Sequence, residues 1–363
     1  MTSQPGTERR EIELDFIRGI AILLVLVFHY HPHNLLITSD TLNRIQGAGW
    51  VGVDVFFVLS GFLVGGLMMK EWSRTGRVDS IRFLQRRAFK IWPAYYVFLL
   101  CAAIVHIRPL KSFLWQNLLS VQNYFSTSLA HTWSLAVEEH FYLALAAIVA
   151  LWTSRRWQPA TLLTACLLLA VLVEVLRAAL LVHGKPVYFY THTRIDALLL
   201  GVALAATRSF WPNAFKALQR QRVLLLLVLA LGLWRLYVDH DAYPEPDALT
   251  SPFLITFVDY ASVALLLLLY RPAKARGPLY RLIARIGVFS YGIYLWHVSV
   301  ERPANWAIAH VPHALVAVTS TFLPYILAIP LGILTTRLVE WPFLRLRERL
   351  TPARTPEAQI PVA

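Results

Sequence analysis

Arg18 and His29 are the first side chains in the sequence whose types and spacing suggest chemistry. They lie eleven positions apart in an apolar stretch. In an α-helix this spacing places both side chains on one face, roughly 16 Å apart along the helix axis. A neutral imidazole accepts a proton near neutral pH, and a guanidinium group binds anions. The alternative is structural, with the arginine reaching lipid phosphates and the histidine lying at a membrane interface.

Further ionisable side chains lie near the ends of apolar stretches, at the depth that a membrane map gives to His29. They are Asp54, Glu138, Glu139, Arg194, Asp196 and His297. A histidine with carboxylates at matching depth is what a general base and its orienting partner require. The same groups can instead hydrogen-bond one helix to another, so both interpretations stay open.

Arg86, Arg87 and Lys90 form a basic cluster just before the third apolar stretch. Guanidinium and ammonium groups at this density can bind the phosphates of a cytoplasmic cofactor. The alternative is the general excess of positive charge in cytoplasmic loops, together with binding to anionic lipids.

The composition places these side chains in a membrane protein. Hydrophobic residues make up 57% of the 363 residues and charged residues only 15%, whereas soluble domains average about 45–50% and about 25%. The apolar residues are concentrated in runs of roughly 20, the length of a helix that crosses a bilayer. The sequence therefore argues against a soluble or a disordered chain and predicts an all-α, polytopic transmembrane helical bundle.

The hydropathy pattern predicts about ten spans and one short segment, residues 112–125, that is typical of an interfacial or re-entrant piece. The predicted spans are residues 14–32, 50–69, 91–107, 134–152, 160–181, 194–209, 222–239, 252–270, 286–303 and 315–338. Most of the 34 Lys and Arg residues fall in alternate loops and in the tail. By the positive-inside rule, both termini are expected in the cytoplasm, with the chain in the inner membrane.

Two features limit the partners. Cys101 and Cys166 lie inside apolar runs, so neither a disulfide nor a metal site is expected. The net charge of +13 is accounted for by the cytoplasmic loops rather than by binding to nucleic acid. The lipid bilayer is the expected surrounding, and the oligomeric state is not predicted.

Ordered motifs along nearly the whole chain resemble those of the acyltransferase 3 family, which are integral membrane enzymes. The motifs are ELDFIRGIAILLVLVFH at 13–29, GWVGVDVFFVLSGFLVG at 49–65, RRAFKIWPAYY at 86–96, HTWSLAVEEHFY at 131–142, TRIDALLLG at 193–201, SYGIYLWH at 290–297 and VEWPF at 339–343. The first contains the family's Arg-x10-His spacing, at Arg18 and His29. Two positions depart from the pattern, because the family usually has Gln at His140 and Arg at Lys90. A lysine keeps the charge but loses the planar fork.

The resemblance implies an enzyme that transfers acyl groups other than aminoacyl groups, an integral membrane O-acyltransferase. Residues 1–343 would form its transmembrane domain and residues 344–363 a flexible cytoplasmic tail. The implied donor is cytoplasmic acyl-CoA, with acetyl-CoA expected first, and no metal takes part. The implied acceptor is a hydroxyl group of a cell-surface or lipid-linked carbohydrate. The soluble esterase-like domain that some members carry is not expected in this chain.

The same resemblance assigns roles to individual residues. His29 is expected to be the general base on the acceptor hydroxyl, oriented by Glu138, Glu139 or Asp54, although relay through an acyl-histidine stays open. The expected donor-binding residues are Arg18, Arg86, Arg87 and Lys90. The expected substrate-binding residues are Ser60, Trp133, Tyr142, Arg194, Asp196 and His297.

Other functions are compatible with the residues alone. A proton-coupled transporter or flippase would use the same histidine and carboxylates to carry protons. A membrane scaffold would use them only to join helices. The acyltransferase could also act on a secondary metabolite such as a macrolide, or use a longer acyl group.

Overall fold

The computed structural model describes residues 11–30, 40–105, 109–239, 253–271 and 276–352. Within these ranges every element is helical and no strand is present, so the predicted all-α class is confirmed. The α-helices are α1 (Ile12–His29), α2 (Asp40–Gly47), α3 (Gly52–Thr75), α4 (Ser80–Ile104), α5 (Leu114–Leu118), α6 (Trp133–Ser154), α7 (Pro159–Val182), α8 (Ile195–Phe210), α9 (Pro212–Arg220), α10 (Arg222–Val238), α11 (Leu254–Leu269), α12 (Pro278–Val288), α13 (Ser290–Trp296), α14 (Glu301–Ala309), α15 (His313–Thr335) and α16 (Trp341–Leu350).

Five helical segments of the described chain are long and apolar enough to cross a bilayer. They are Asn43–Thr75, Ser80–Ile104, Ala130–Ser154, Pro159–Val182 and His313–Leu350. Helices α9 and α10 meet at a bend of 67°, and together they would add a sixth span. Several other predicted spans correspond to helices that are shorter or more charged, such as α8 with 16 residues. The count of ten spans and the location of the termini therefore stay predictions.

Close helix packing around the core depends on glycines. Gly61 of α3 lies against the carbonyl of Leu198, and Gly201 of α8 lies against the carbonyl of Val58. A Cβ atom at either glycine would overlap the facing backbone, so α3 and α8 approach at backbone distance. This pair forms the centre of the bundle, and α1 packs beside it on the start of α3, where Gly52 faces α1.

The predicted span 286–303 is broken rather than continuous. It consists of the end of α12, then α13, a 3₁₀ turn over His297–Val300, and the start of α14. The break leaves the ring of His297 fully buried at the end of a helix. An imidazole in this position can face the neighbouring helices rather than the lipid.

The chain continues from α15 into α16 through one π-helical turn, Thr336–Glu340. Thr336 and Glu340 are both buried in this turn. The predicted tail, 344–363, begins inside α16, and residues 353–363 lie outside the described residues.

Candidate active site

A cavity of ≈ 660 Å³ lies between α1, α3, α4, α6, α13 and α16. Most of its walls are apolar, with side chains that include Val53, Phe56, Phe57, Leu59, Leu63 and Leu135. The charged residues of its wall, called the charged wall below, are Arg18, Arg87, Lys90, Glu138, Glu340 and Arg347. Four cations therefore face two carboxylates, and the wall has an excess of positive charge.

Three of the four predicted donor-binding residues belong to the charged wall. Arg18 forms an ion pair with Asp15 at 3.1 Å, and Lys90 forms one with the buried Glu340. The guanidinium group of Arg87 lies 5.7 Å from the ring centroid of Tyr142. The basic residues that the sequence placed on two separate helices, α1 and α4, thus meet at one cavity.

Arg86 is the exception among the predicted donor-binding residues, because it does not line the cavity. Its Nη2 donates to Oε1 of Glu348 at 2.8 Å, and its Nη1 donates to the carbonyl of Thr351. Arg347 of α16 lines the cavity instead. Sequence reasoning counted Arg347 only as part of the positive tail. The spacing of Trp341, Leu344 and Arg347 at intervals of three puts them on one helix face, but nothing in the sequence shows that this face meets the cavity.

A polar patch on the cavity wall joins residues that were predicted for two different roles. The hydroxyl oxygens of Ser60 and Tyr142 lie 2.5 Å apart. The carboxyl group of Glu138 lies beside both hydroxyls and near Arg87. Ser60 and Tyr142, predicted to bind substrate, and Glu138, predicted to assist catalysis, are therefore brought together at the cavity.

His29 lies in a group of three rings, the histidine cluster, formed by His29, His131 and His297. The ring centroids of His29 and His297 are 4.5 Å apart, and those of His131 and His297 are 5.2 Å apart. Sequence reasoning did not select His131, although it opens the motif at 131–142. His29 Nδ1 donates to the carbonyl of Val25 at 2.9 Å. In the neutral imidazole this contact fixes the proton on Nδ1, so Nε2 carries the lone pair.

Tyr294 connects the cavity with the histidine cluster. It lines the cavity, and its ring centroid lies 5.6 Å from that of His297. Its hydroxyl donates to the carbonyl of His131 at 2.6 Å and lies 2.6 Å from Oγ of Ser134. A continuous series of ring contacts thus leads from the cavity through Tyr294 and His297 to His29.

The carboxylates predicted to orient His29 contact other groups. Glu138 belongs to the polar patch, and Glu139 accepts a hydrogen bond from Nε1 of Trp92 at 3.4 Å. Asp54 forms an ion pair with Arg194. What the structure shows next to the His29 ring is a second histidine, His297.

Asp54 and Arg194 are part of a separate group, the buried charge cluster, which joins α3, α7, α8 and α11. Its members are Asp54, Arg177, Arg194, Asp196 and Asp259, each at most 1% exposed. Arg177 Nη2 lies 2.7 Å from Oδ2 of Asp196 and 3.8 Å from Oδ2 of Asp259. Trp133 packs its ring centroid 5.6 Å from the guanidinium carbon of Arg194. Arg194, Asp196 and Trp133, all predicted to bind substrate, are therefore held together here, away from the cavity wall.

Comparison with known proteins identifies the family. A sequence model of the acyltransferase 3 family, described as an acyltransferase domain, matches residues 11–344. The chain belongs to the acyltransferase 3 family. The predicted family and enzyme class, acyltransferase, are confirmed, and the membrane-spanning helices agree with a multi-pass membrane protein.

Curated relatives of this acyltransferase 3 protein carry names of O-acetyltransferases. The O-acetyltransferase OatA of Staphylococcus aureus is 26% identical over 324 residues, which cover 79% of this chain and 50% of the relative. The peptidoglycan O-acetyltransferase OatA of Listeria monocytogenes is 27% identical over 352 residues, which cover 85% and 53%. A putative O-acetyltransferase of S. aureus is 25% identical over 369 residues, which cover 91% and 56%. The chain spans about half the length of the curated relatives it matches. No solved structure matches it.

Proposed function

We propose that the chain is an integral membrane O-acyltransferase that moves an acyl group, acetyl in the first instance, from cytoplasmic acyl-CoA to a hydroxyl group of a cell-surface or lipid-linked carbohydrate. The observation that carries the proposal is a cavity with a charged wall that adjoins the histidine cluster. The termini are assigned to the cytoplasm and the protein to the inner membrane, on the charge distribution of the loops.

Donor binding is supported by the chemistry of the cavity. Arg18, Arg87 and Lys90 offer cationic groups, which bind phosphates with charge-assisted hydrogen bonds. The apolar walls suit a pantetheine arm and a short acyl chain. The polar patch at Ser60 and Glu138 can hydrogen-bond the amide groups of that arm. The volume of ≈ 660 Å³ falls within the roughly 300–1,000 Å³ that is typical of ligand sites.

His29 is assigned as the general base. The thioester supplies the activated acyl group, and Nε2 of His29 takes the proton of the acceptor hydroxyl. The hydroxyl oxygen forms a bond to the acyl carbon, the carbon–sulfur bond breaks, and the departing thiolate receives the proton from His29. The contact of Nδ1 with the Val25 carbonyl supports this assignment, because it leaves the lone pair on Nε2. Transfer through an acyl-histidine is the alternative route.

The acceptor is assigned by analogy. The name of the Listeria relative refers to peptidoglycan, so a cell-wall glycan is the first acceptor to examine. A secondary metabolite is the second, and it requires the same chemistry at His29.

The proposal is tested by acyl transfer in membranes that contain the protein, with labelled acetyl-CoA as donor. Wild type should transfer label to a glycan or lipid-linked sugar, whereas His29→Ala should lose at least about a hundredfold, within the range of general-base catalysis. His183→Ala is the matched control. Its Nδ1 also bonds to the carbonyl four residues earlier, Ala179, but it is exposed at the end of α7.

Each outcome of this assay decides a different part of the proposal. Failure of wild type with acetyl-CoA and with a series of longer acyl-CoAs would contradict acyl transfer from CoA. Equal labelling by wild type and His29→Ala would remove His29 as the base but retain the enzyme. If the label appears in a small molecule instead of a glycan, the acceptor is that small molecule and the assignment of a carbohydrate acceptor is wrong.

A further inference from the structure

Helix α16 contributes one face to the cavity and exposes the other. Trp341, Leu344 and Arg347 line the cavity. Arg345 and Arg349, on the same helix, are exposed. Residues three apart share a helix face, so only one of the three arginines of α16 reaches the charged wall.

Arg86 of α4 holds the end of α16 in place. Its two terminal nitrogens contact both oxygens of Glu348, at 2.8 and 3.4 Å. Its Nη1 also donates to the carbonyl of Thr351, the first residue beyond α16. A two-point contact between a guanidinium and a carboxylate fixes their relative orientation. The added contact satisfies a carbonyl that a helix end leaves without a partner.

Glu348 connects Arg86 to Arg347. Oε1 of Glu348 accepts from Nε of Arg347 at 3.0 Å and from its Nη2 at 2.5 Å. These contacts occupy one edge of the Arg347 guanidinium, and its Nη1 makes no hydrogen bond within the described part of the chain. Two guanidinium groups share one carboxylate, so the arrangement keeps one positive charge in excess.

The other cations of the charged wall differ in how far they are neutralised. Lys90 is paired with the buried Glu340, and Arg18 is paired with Asp15. The guanidinium group of Arg87, the remaining cation of the wall, lies beside Glu138 and the ring of Tyr142. Arg347 lines the cavity and shares Glu348, its hydrogen-bonded carboxylate partner within the described residues, with Arg86, so it is well suited to a second anion.

We propose that Arg347 binds a phosphate of the acyl donor, and that Arg86 is a positioning residue that orients Arg347 through Glu348. This inference rests on the proposed function, since it takes acyl-CoA as the donor. It gives different roles to the two neighbouring arginines, because Arg87 lines the cavity directly and Arg86 contacts Glu348 and Thr351 at the C-terminal end of α16. A phosphate is the dianionic, multi-acceptor group that a guanidinium edge binds most readily.

The experiment measures KM and kcat for acetyl-CoA in membranes with matched amounts of protein. Arg347→Ala should raise KM by about tenfold to a hundredfold, the equivalent of one hydrogen bond to a charged group, and change kcat by less than about threefold. Arg345→Ala removes the same charge from the exposed face of α16 and should leave KM within about twofold. Arg347→Lys, which keeps the charge, should give an intermediate KM and guards against a folding defect in the alanine variant.

The positioning role of Arg86 is tested by a double-mutant cycle. Arg86→Ala should raise KM in the wild-type background but add less than about twofold to Arg347→Ala, because coupled residues do not act additively. If the KM of the double variant instead rises by the product of the two single-variant increases, the positioning role is wrong. Each arginine would then act on the donor independently.

A donor without phosphates separates phosphate binding from general damage to the site. Acetyl-pantetheine should be used equally by wild type and Arg347→Ala. A loss with this donor as large as the loss with acetyl-CoA would overturn the phosphate contact, as would an unchanged KM for acetyl-CoA in Arg347→Ala. If wild type itself uses no acyl-CoA, it is the proposed function that fails.

Discussion

Two groups of charged side chains lie within the helix bundle, and they differ in balance and in access. The buried charge cluster combines two arginines with three aspartates, each at most 1% exposed. The charged wall combines four cations with two carboxylates around a cavity of ≈ 660 Å³. Charged side chains that neither solvent nor a ligand can reach interact only with one another. An accessible excess of charge of one sign can instead bind a ligand of the opposite charge. This difference supports the proposal that the first group has a structural role and that the second binds the donor.

The largest expected effect is the loss of Arg194 from the buried charge cluster. Arg194→Ala leaves the carboxylate of Asp54 buried without its partner, which should cost about 3–5 kcal/mol of folding free energy. The measurement is the thermal stability and the yield of folded protein in detergent. Arg222→Ala, at an exposed position at the start of α10, should have no effect and is the control.

The combined variant Asp54→Asn with Arg194→Met sharpens this test, because it removes both charges of the ion pair together and leaves Asp54 without a charge that needs a partner. It should recover much of the stability that Arg194→Ala loses. If Arg194→Ala is instead as stable as wild type but fails to use the acceptor, Arg194 binds substrate. The structural role of the buried charge cluster would then be wrong.

Arg87→Gln in the charged wall should have a smaller and different effect. Its guanidinium lies at the cavity beside Tyr142 and Glu138, so we expect KM for acetyl-CoA to rise by about tenfold, as for the loss of one charged contact. Thermal stability should change by less than that of Arg194→Ala. Arg77→Gln, at an exposed position in the loop before α4, is the matched control. Loss of folded protein without a change in KM would place Arg87 with the structural charges.

The smallest expected effect is that of salt. Mobile ions screen accessible charges far more than buried ones. Raising NaCl from about 50 mM to about 500 mM should therefore raise the donor KM a few-fold, while the melting temperature stays within about 2 °C. A large fall in melting temperature with an unchanged KM would reverse the assignment of the two groups.

The sequence predicted the helical class and the family, and four residues of the charged wall were among its candidate site residues: Arg18, Arg87, Lys90 and Glu138. It could not assign different roles to Arg86 and Arg87. Neighbouring side chains on a helix point about 100° apart, and the partner of each one depends on which helix packs against that side. Glu138 was one of three carboxylates assigned to His29, from matching depth and the family resemblance. Its direction around α6 turns it to Arg87 and Ser60 instead. What the sequence did not predict is therefore the direction of each side chain around its helix axis, which depends on packing.

Two other residues required the three-dimensional structure for a different reason. His131 lies in the 3₁₀ turn Ala130–Thr132, where neither helical nor strand periodicity indicates a direction. Arg347 follows a π-helical turn, which shifts the helical phase, so the face of α16 does not continue that of α15. In both cases an irregular backbone, rather than an unusual residue, hid the site from the sequence.

The π-helical turn Thr336–Glu340 has a consequence for how this enzyme could vary. Such a turn holds one residue more than regular α-helix would need, so its length sets the phase of everything after it. Deleting one residue inside the turn would leave regular α-helix and keep the direction of α16. Deleting one residue of the regular helix that follows, such as Phe343, would instead rotate the rest of α16 by about 100° and carry Arg347 away from the cavity. A rise in the donor KM of the Phe343 deletion, with an unchanged KM for the deletion inside the turn, would show that helical register, and not only residue identity, places Arg347 at the cavity.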